Sequence, residues 1–349
     1  MREPPLKTGV LGLDGQGRFL PEATQGNDNF KIVAVADSDA NLAQQFGKLW
    51  DCAFYDDYRQ LITQNQLDCL FVAAPMHTCA EFLKMAIKKK FNIFKRPPFA
   101  RNYGEAAELV KLAQAEDVTF TVANLNRFAK PALAMRNFIL QNPNEQFFFI
   151  LAGAERKKIP DPFFADPVLS GGGVLLYDCW EIIDRIVQNF GVPQQVYCVA
   201  GSTATDSRQR QYLTEDSAVI TMKFNDMLCG TLLAGRAADS ITQSSQNRLT
   251  VQGQNMVLKV NGKSFEATDN KGEQLKCEDF KVDYLDELKN AVENFGSYLL
   301  RTDETASADK NPLICSAADN LKIMAIIDAA YLSARTGMPE QPGKILEIS

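Results

Sequence analysis

The stretch 7–39 reads KTGVLGLDGQGRFLPEATQGNDNFKIVAVADSD and decides the fold. Its apolar segment 8–11 runs into the glycine turn GLDGQG at 12–17, and a helix-like segment that ends near Gly26 follows. A second apolar strand, 31–36, stops at Asp37. A strand, a glycine turn, a helix, a second strand and a terminal acid, in this order, predict the first unit of a dinucleotide-binding fold.

The glycine turn and the strand ends near it supply the predicted cofactor site. The turn exposes backbone N–H groups at a helix N-terminus, where a pyrophosphate can be held. Asp37 can accept hydrogen bonds from the adenosine ribose, and its charge repels a 2′-phosphate, which favours NAD. Arg18 and Ser38 leave NADP open. The predicted cofactor-binding residues are Gly12, Leu13, Asp14, Gly15, Gln16, Gly17, Asp37, Ser38, Ala74, Pro75, His77 and Arg96.

Asp14 departs from the pattern G-x-G-x-x-G, because it stands where the second glycine allows close approach of the phosphates. A carboxylate about 4 Å from a phosphate charge would repel it by roughly 4 kcal/mol at an effective dielectric constant of about 20. Binding would then weaken by several hundredfold, unless the side chain turns away. The sequence therefore predicts a dinucleotide-binding scaffold and leaves open whether it still holds its ligand.

Composition narrows the class of protein. The 349 residues, with 46% apolar and 23% charged residues, suit two domains with large cores. A net charge of −6 without a basic domain argues against a nucleic-acid partner. The N-terminus has no apolar signal core, and no window resembles a membrane span, so we expect a cytoplasmic protein.

The eight cysteines are scattered without a C-x-x-C pair, and we expect free thiols. Cys69, His77 and Cys79 lie close in sequence, but Cys69 opens a buried strand whereas the other two lie past its end. We therefore predict no metal site. His77 is the single histidine, which excludes chemistry by a histidine cluster.

Two kinds of strand pattern divide the chain. Up to residue 125, apolar strands alternate with helices, which predicts a doubly wound parallel sheet. Further strands are predicted at 68–74, 91–95 and 119–123, and helices at 41–50, 58–65, 78–90 and 102–116. From residue 146 the strands follow one another, which predicts one large, open, mainly antiparallel sheet.

The second pattern predicts strands at 146–152, 195–201, 218–225, 228–234, 248–252 and 256–260, with a hairpin turn at 261–262 and polar loops at 262–276 and 302–310. Helices at 174–190, 284–300 and 316–336 are expected to cover one face. The predicted fold is thus α/β, with an N-terminal doubly wound domain at 1–125 and a C-terminal α+β domain at 126–349. The C-terminal helices could also pack back on the first domain.

The motifs and their order resemble the Gfo/Idh/MocA family, named for glucose–fructose oxidoreductase, inositol dehydrogenase and a rhizopine-catabolism protein. The resemblance rests on VLGLDGQG and VAVADSD at the front, AAPMHTCAEF, NRFAKPA, GGGVLLYDCWEIID and AAYLSARTGMP, from about residue 7 to 337. It implies a Rossmann domain, an open sheet through which homodimers or homotetramers associate, and hydride transfer between NAD or NADP and a sugar or polyol.

The family carries Glu-Lys-Pro after its fifth strand, and its lysine helps to position the nicotinamide and the substrate hydroxyl. Aligned without gaps, this chain places Arg96, Pro97 and Pro98 there, so the ammonium group is lost. A frame shifted by one residue would instead match Lys95-Arg96-Pro97 and keep Arg96 as the cation. The ungapped frame is preferred.

The family usually shows an aspartate and, four residues later, a histidine in the helix after Gly-Gly-Gly. Here Tyr177 and Glu181 hold those positions, which would share one helix face. Tyr177, Glu181 and Arg96 are the candidate catalytic residues, with Tyr177 as proton donor and Glu181 orienting the substrate. The alternative is that Tyr177 and Trp180 only pack.

Three other charged residues lie in or near these motifs. Asp178 and Asp184 are expected to be solvated or capping residues. Arg127 could form a salt bridge across the domain boundary or reach the cleft.

Three functions remain. The first is an NAD(P)-dependent oxidoreductase with rearranged acid–base groups, acting on a sugar, a polyol or a related cyclic molecule. The second is a catalytically silent relative that binds a small molecule or partner as a sensor. The third is a lyase- or glycosidase-type reaction with tightly held NAD.

Overall fold

The computed structural model describes residues 3–156, 166–202, 214–236, 246–301 and 312–347. The loop predicted at 302–310 lies outside them. The chain forms two units, and each contains separate segments of the sequence. The first unit comprises Met1–Ala100, Glu105–Leu125 and Asp283–Asp319, and the second comprises Arg101–Gly104, Asn126–Val282 and Asn320–Ser349. Along the described ranges, no helix is long and apolar enough to cross a bilayer.

The first unit contains a parallel sheet of six described strands in the order β3-β2-β1-β4-β5-β6. The predicted doubly wound sheet is confirmed. The strands are β1 Leu6–Leu11, β2 Phe30–Ala36, β3 Ala53–Tyr55, β4 Cys69–Val72, β5 Asn92–Lys95 and β6 Phe120–Val122. The sequence reading assigned no residues to β3, which is a three-residue edge strand with two exposed side chains.

Short helices connect the strands of this sheet. They are α1 Phe19–Glu22, α2 Ala40–Leu49, α3 Tyr58–Gln64, α4 Met76–Lys88 and α5 Tyr103–Ala115. The helix-like segment predicted from the glycine turn to Gly26 is much shorter, because a 3₁₀ turn at Gly15–Arg18 precedes the single turn of α1.

A helix from far along the chain completes the core of the first unit. Helix α10, Tyr284–Leu299, brings Phe295 to Phe30, Phe71 and Phe94, with ring centroids 5.5 to 6.2 Å apart. Phe71, Phe94 and Phe295 are fully buried. Aromatic contacts at such distances add about 0.5–1.5 kcal/mol each beyond the area that they bury.

The second unit contains a sheet of eight described strands in the order β14-β13-β12-β11-β7-β10-β9-β8. They are β7 Phe147–Arg156, β8 Gln195–Gly201, β9 Ser217–Lys223, β10 Cys229–Arg236, β11 Gln246–Gly253, β12 Met256–Asn261, β13 Ser264–Asp269 and β14 Gln274–Asp279. The pair β7 and β10 is parallel and the other pairs are antiparallel, so the mainly antiparallel prediction is confirmed.

The loop predicted at 262–276 is wrong. The turn at 261–262 joins β12 to β13, and β14 follows as the edge strand. Polar and charged residues dominate this hairpin because most of its side chains are at least partly exposed. Phe265 and Ala267, both fully buried two residues apart, were the signal for a strand.

Helices cover one face of the second sheet. They include α6 Lys130–Gln141, α8 Val174–Tyr177 and α9 Trp180–Phe190, which contact strands of the sheet. The remaining helices are α7 Pro167–Ser170, α11 Ala317–Thr336 and α12 Pro342–Leu346.

The single helix predicted at 174–190 is interrupted. The N–H groups of Asp178 and Cys179 both donate to the carbonyl of Val174, which adds a wider turn between α8 and α9. Such i→i+5 turns interrupt regular helices and are frequent at functional sites.

Asp184 and Asp178 are not solvated, although Asp178 is the C-cap residue of α8, as the capping alternative predicted. Asp184 is fully buried and pairs with Arg127 at 2.7 Å, within the second unit. Asp178 pairs with Arg236 at 2.6 Å, and both side chains are largely buried. Buried pairs of this kind are costly to break, because either partner alone is an uncompensated charge.

Lys95 is an unusual residue at the end of β5, because only 2% of it is exposed. Its Nζ donates to the carbonyl of Arg96 at 2.9 Å. Burial lowers the pKa of Lys95 from 10.5 to about 8; the Cys79 sulfur opposes this shift and the Arg96 guanidinium adds to it. Protonation of Lys95 at neutral pH therefore opposes folding.

We expect the stability of the protein relative to Lys95→Met to rise with pH. The pKa of Lys95 is lower in the folded state than in the unfolded state. The free-energy cost of burying the charged side chain is therefore largest below about pH 8 and disappears above the normal lysine pKa. The difference in free energy of unfolding should shift by about 2–3 kcal/mol in favour of the wild type between about pH 7 and pH 10. Urea unfolding of the full chain measures this difference. Lys111→Met, on the exposed face of α5, is the control and should show no such trend. An equal difference at both pH values would contradict the buried charge.

Candidate functional site

The glycine turn is formed by backbone packed against backbone. Gly12 has φ +82°, and a Cβ there would lie 2.5 Å from the backbone nitrogen of Ala74. A Cβ on Gly17 would overlap the carbonyl oxygen of Gly12. The turn after β1 and the segment after β4 are therefore in close contact, as a dinucleotide cradle at this edge of the sheet requires.

Asp14 turns toward its own loop. Its backbone is extended, at φ −74° and ψ 157°, a conformation that needs no glycine. Its carboxylate accepts a hydrogen bond from the N–H of Gly15 at 2.5 Å. The Asp14 side chain thus accepts a hydrogen bond from one of the backbone N–H groups that were predicted to bind a pyrophosphate.

Asp37 is largely buried at the end of β2, where the ribose-binding acid was predicted. One carboxylate oxygen accepts from the N–H of Leu13 at 2.7 Å, and the other accepts from the N–H of Asp39 at 2.9 Å. The acid therefore ties the glycine turn to the end of β2. Ser38 lies against Tyr58, whose pKa is raised by burial and by Asp37.

The remaining predicted cofactor residues follow β4 and β5. Ala74 and Pro75 adjoin the glycine turn, and His77 lies half-buried in the first turn of α4. Arg96 extends to the glycine turn and donates from Nη2 to Oε1 of Gln16. The structure thus brings the glycine turn, Asp37, the end of β4 and Arg96 together.

Sequence reasoning missed Tyr284, whose ring lies 5.8 Å from the Arg96 guanidinium. It lies at the start of α10, nearly two hundred residues from Arg96, and the sequence offers no signal for the contact.

The candidate catalytic residues of the second unit lie on the interrupted helix. The hydroxyl of Tyr177 donates to the carbonyl of Ser170 at 2.8 Å, and the side chain is half-buried. Glu181 accepts from the side chain of Asn247 at 3.4 Å. The regular spacing assumed for the pair does not hold, because the wider turn at Asp178 separates them.

Glu215 fixes the start of α8, and sequence reasoning missed it. Its carboxylate accepts from the N–H groups of Gly173 and Leu175, both at 2.9 Å, and from the hydroxyl of Tyr331 at 2.7 Å. Its carbonyl accepts from the N–H of Val174 at 3.0 Å. Burial raises the pKa of Glu215, and these hydrogen bonds oppose the rise.

The end of α8 is fixed by the ion pair of Asp178 and Arg236. The four-residue helix that carries Tyr177 is therefore held at both ends, by Glu215 just before β9 and by Arg236 at the end of β10. A side chain on such a support has little freedom to reorient, which suits a group with a catalytic or binding role.

Two family profiles match the chain. The Gfo/Idh/MocA oxidoreductase family, described as having an NAD-binding Rossmann fold, matches residues 6–124, and its C-terminal alpha/beta domain matches residues 164–341. Together these matches span well over half of the chain.

Three similar proteins illustrate the relationship. Myo-inositol 2-dehydrogenase of Thermotoga maritima is 23% identical over 84% of this chain and 89% of its own length. D-xylose 1-dehydrogenase (NADP(+)) 2 of Haloferax volcanii is 23% identical over 94% of this chain and 97% of its own. The WlbA dehydrogenase from Bordetella pertussis, solved in complex with NADH and UDP-GlcNAcA, has a TM-score of 0.79 and 16% identity, covering 96% of this chain and 98% of that one.

The two matched profiles agree with the parallel sheet, the glycine turn and the open second sheet described above. The chain belongs to the Gfo/Idh/MocA oxidoreductase family.

Proposed function

We propose that the protein is an NAD-dependent oxidoreductase acting on a sugar, a polyol or a related cyclic alcohol, with acid–base residues that differ from those usual in its family. The observation that carries this proposal is the intact cradle, in which Gly12 and Gly17 are packed so closely that no side chain fits. Two similar proteins are dehydrogenases of myo-inositol and D-xylose, which supports this substrate class.

NAD is proposed over NADP because Asp37 places a buried carboxylate at the end of β2. A 2′-phosphate there would face this charge, whereas ribose hydroxyls could donate to it. When bound, the nicotinamide would supply hydride transfer. The chain's own residues would hold the dinucleotide through the N–H groups of the glycine turn, with Arg96 beside them.

Tyr177 is proposed to donate and accept the proton of the substrate hydroxyl, with Glu181 orienting the substrate. The bond from the Tyr177 hydroxyl to Ser170 fixes the direction of the phenol in the absence of substrate. Glu215 and the ion pair of Asp178 and Arg236 would hold the supporting helix.

A second candidate is a catalytically silent binding protein. Three observations favour it. Pro97 stands where the family has a lysine, Asp14 occupies the N–H of Gly15, and the Tyr177 hydroxyl is engaged by a backbone carbonyl.

Dinucleotide binding is the first test of the proposal. NAD⁺ or NADH at about 100 times the dissociation constant should stabilise the protein by about 2.7 kcal/mol and raise the melting temperature by several degrees. NADP⁺ should bind at least tenfold more weakly. No shift with either nucleotide at millimolar concentration would refute the cofactor assignment.

Asp14→Gly should tighten NAD⁺ binding about ten- to a hundredfold, because it removes a charge from the phosphate site and releases the N–H of Gly15. Asp14→Asn is the matched variant, since it removes the charge and keeps an acceptor for Gly15. Isothermal titration calorimetry measures both. Unchanged affinity in both variants would show that the carboxylate does not oppose the phosphates.

Tyr177→Phe should lower turnover by about 10²- to 10⁴-fold and leave NAD⁺ affinity unchanged. The assay follows nicotinamide absorbance with a panel of sugars and polyols. Tyr197→Phe, on the exposed face of β8, is the control. Turnover retained in Tyr177→Phe would remove this residue from the mechanism. If the wild type binds NAD⁺ and turns over no member of the panel, the silent candidate is favoured.

The outer face of the second sheet is proposed as the contact between copies of the chain in a homodimer or homotetramer. It exposes a row of apolar side chains, Leu151, Val199, Val219 and Leu233. Leu233→Glu should reduce the molar mass measured by light scattering to that of the monomer. Leu275→Glu, an equally exposed position on the edge strand β14, should not. The same mass in wild type and Leu233→Glu would exclude this face.

A further inference from the structure

The side chain of Arg96 spans the point where the strand order of the first sheet reverses. In the order β3-β2-β1-β4-β5-β6, chain connectivity changes direction between β1 and β4. Gln16 lies in the turn after β1, and Arg96 follows β5. The hydrogen bond from Nη2 of Arg96 to Oε1 of Gln16 therefore passes the carboxyl end of β4. Ligands of doubly wound sheets bind at this position.

Arg96 is supported from a second side. The ring of Tyr284 lies 5.8 Å from the guanidinium, and the same ring contacts Phe19 at 5.4 Å between centroids. All of these residues belong to the first unit. A guanidinium over an aromatic face gains roughly 0.5–1 kcal/mol and loses rotational freedom. The cation is therefore held in place by residues from two distant parts of the sequence.

An anion can bind at the glycine turn only if a positive charge offsets the carboxylate of Asp14. Asp14 adds a carboxylate to the loop and occupies the N–H of Gly15, so the loop opposes an incoming anion more than a glycine at this position would. Gln16, two residues further on, offers Arg96 a neutral oxygen. A guanidinium binds phosphate oxygens through paired N–H groups more strongly than it binds a neutral amide. Exchanging the Gln16 amide for a phosphate as the hydrogen-bond partner of Arg96 is thus favourable.

We propose that Arg96, seated on Tyr284 and held by Gln16, is an anion clamp over the glycine turn that binds the pyrophosphate of the dinucleotide and offsets the charge of Asp14. The inference rests on the proposed dinucleotide binding. It gives Arg96 a role in gripping the phosphates, and it assigns Tyr284 and Phe19 to the support of that group. Gln16 holds the clamp when no dinucleotide is bound.

The test compares ligands with and without the pyrophosphate. Isothermal titration calorimetry measures NAD⁺, ADP-ribose and adenosine on the wild type and on Arg96→Gln. Affinity for NAD⁺ and ADP-ribose should fall by the same factor, tenfold or more, and affinity for adenosine should not change. Arg18→Gln removes a neighbouring charge, stacked on Phe19 at 4.7 Å, and should have a much smaller effect.

Two further variants keep the clamp testable if Arg96→Gln folds poorly. Gln16→Glu gives Arg96 a charged partner that competes with the phosphates, and it should weaken NAD⁺ and ADP-ribose binding about tenfold. Tyr284→Leu removes the aromatic support and should weaken both several-fold. In the double variant Asp14→Asn, Arg96→Gln, most of the lost affinity should return, since the two opposite charges are removed together.

The outcomes separate the clamp from the proposed function. If the wild type binds neither NAD⁺ nor ADP-ribose, the proposed function fails and the clamp fails with it. If the wild type binds both and Arg96→Gln binds them equally well, only the clamp is refuted. If Arg96→Gln loses affinity for adenosine by the same factor, the clamp is also refuted, because Arg96 would then maintain the shape of the loop. A loss confined to the two pyrophosphate ligands supports it.

Discussion

The packing of backbone against backbone at Gly12 and Gly17 is the constraint on which the first unit depends. A side chain at Gly12 would meet Ala74, and one at Gly17 would meet the carbonyl of Gly12. These contacts set the distance between the ends of β1 and β4. Two hydrogen bonds depend on this distance: the one that Asp37 accepts from the N–H of Leu13, and the one that Arg96 donates to Gln16. The shape of the glycine turn is therefore set by the backbone, with Asp14 at the position where the pattern G-x-G-x-x-G has its second glycine.

Buried charged side chains have different kinds of partner in the two units. In the second unit, buried pairs such as Arg127 and Asp184 tie helices and loops together, and they involve residues next to the candidate catalytic helix. In the first unit, Lys95 is buried with its neighbour's carbonyl as hydrogen-bond partner, which lowers its pKa. Buried charges of both kinds reduce stability unless they are well paired. Lys95 lies at the end of β5, and another buried pair, Asp178 with Arg236, lies at the end of α8, which carries Tyr177.

The sequence predicted what depends on local pattern. Alternating strands and helices, the glycine turn and the acid after β2 identified the first sheet, and the apolar strands after residue 146 identified the second. Phe265 and Ala267 show the limit of the method, because a strand with few apolar residues resembles a loop. The pairing of Asp178 with Arg236, and of Glu215 with Tyr331, joins residues 58 and 116 positions apart. Composition and spacing carry no signal for such contacts, and the sequence alone predicted Asp178 only as a solvated or capping residue.

The stacking of Phe295 in the first core has a consequence for synthesis of the chain. On the ribosome the segment that carries the first sheet emerges well before α10, while all strands of the second sheet are translated in between. Until α10 has left the exit tunnel, the side chains of Phe30, Phe71 and Phe94 lack the aromatic neighbour that covers them. Transiently exposed apolar surface of this kind makes incompletely folded chains prone to aggregation. The first unit, although its sheet is made first, therefore completes its core only after the described strands of the second sheet have been translated.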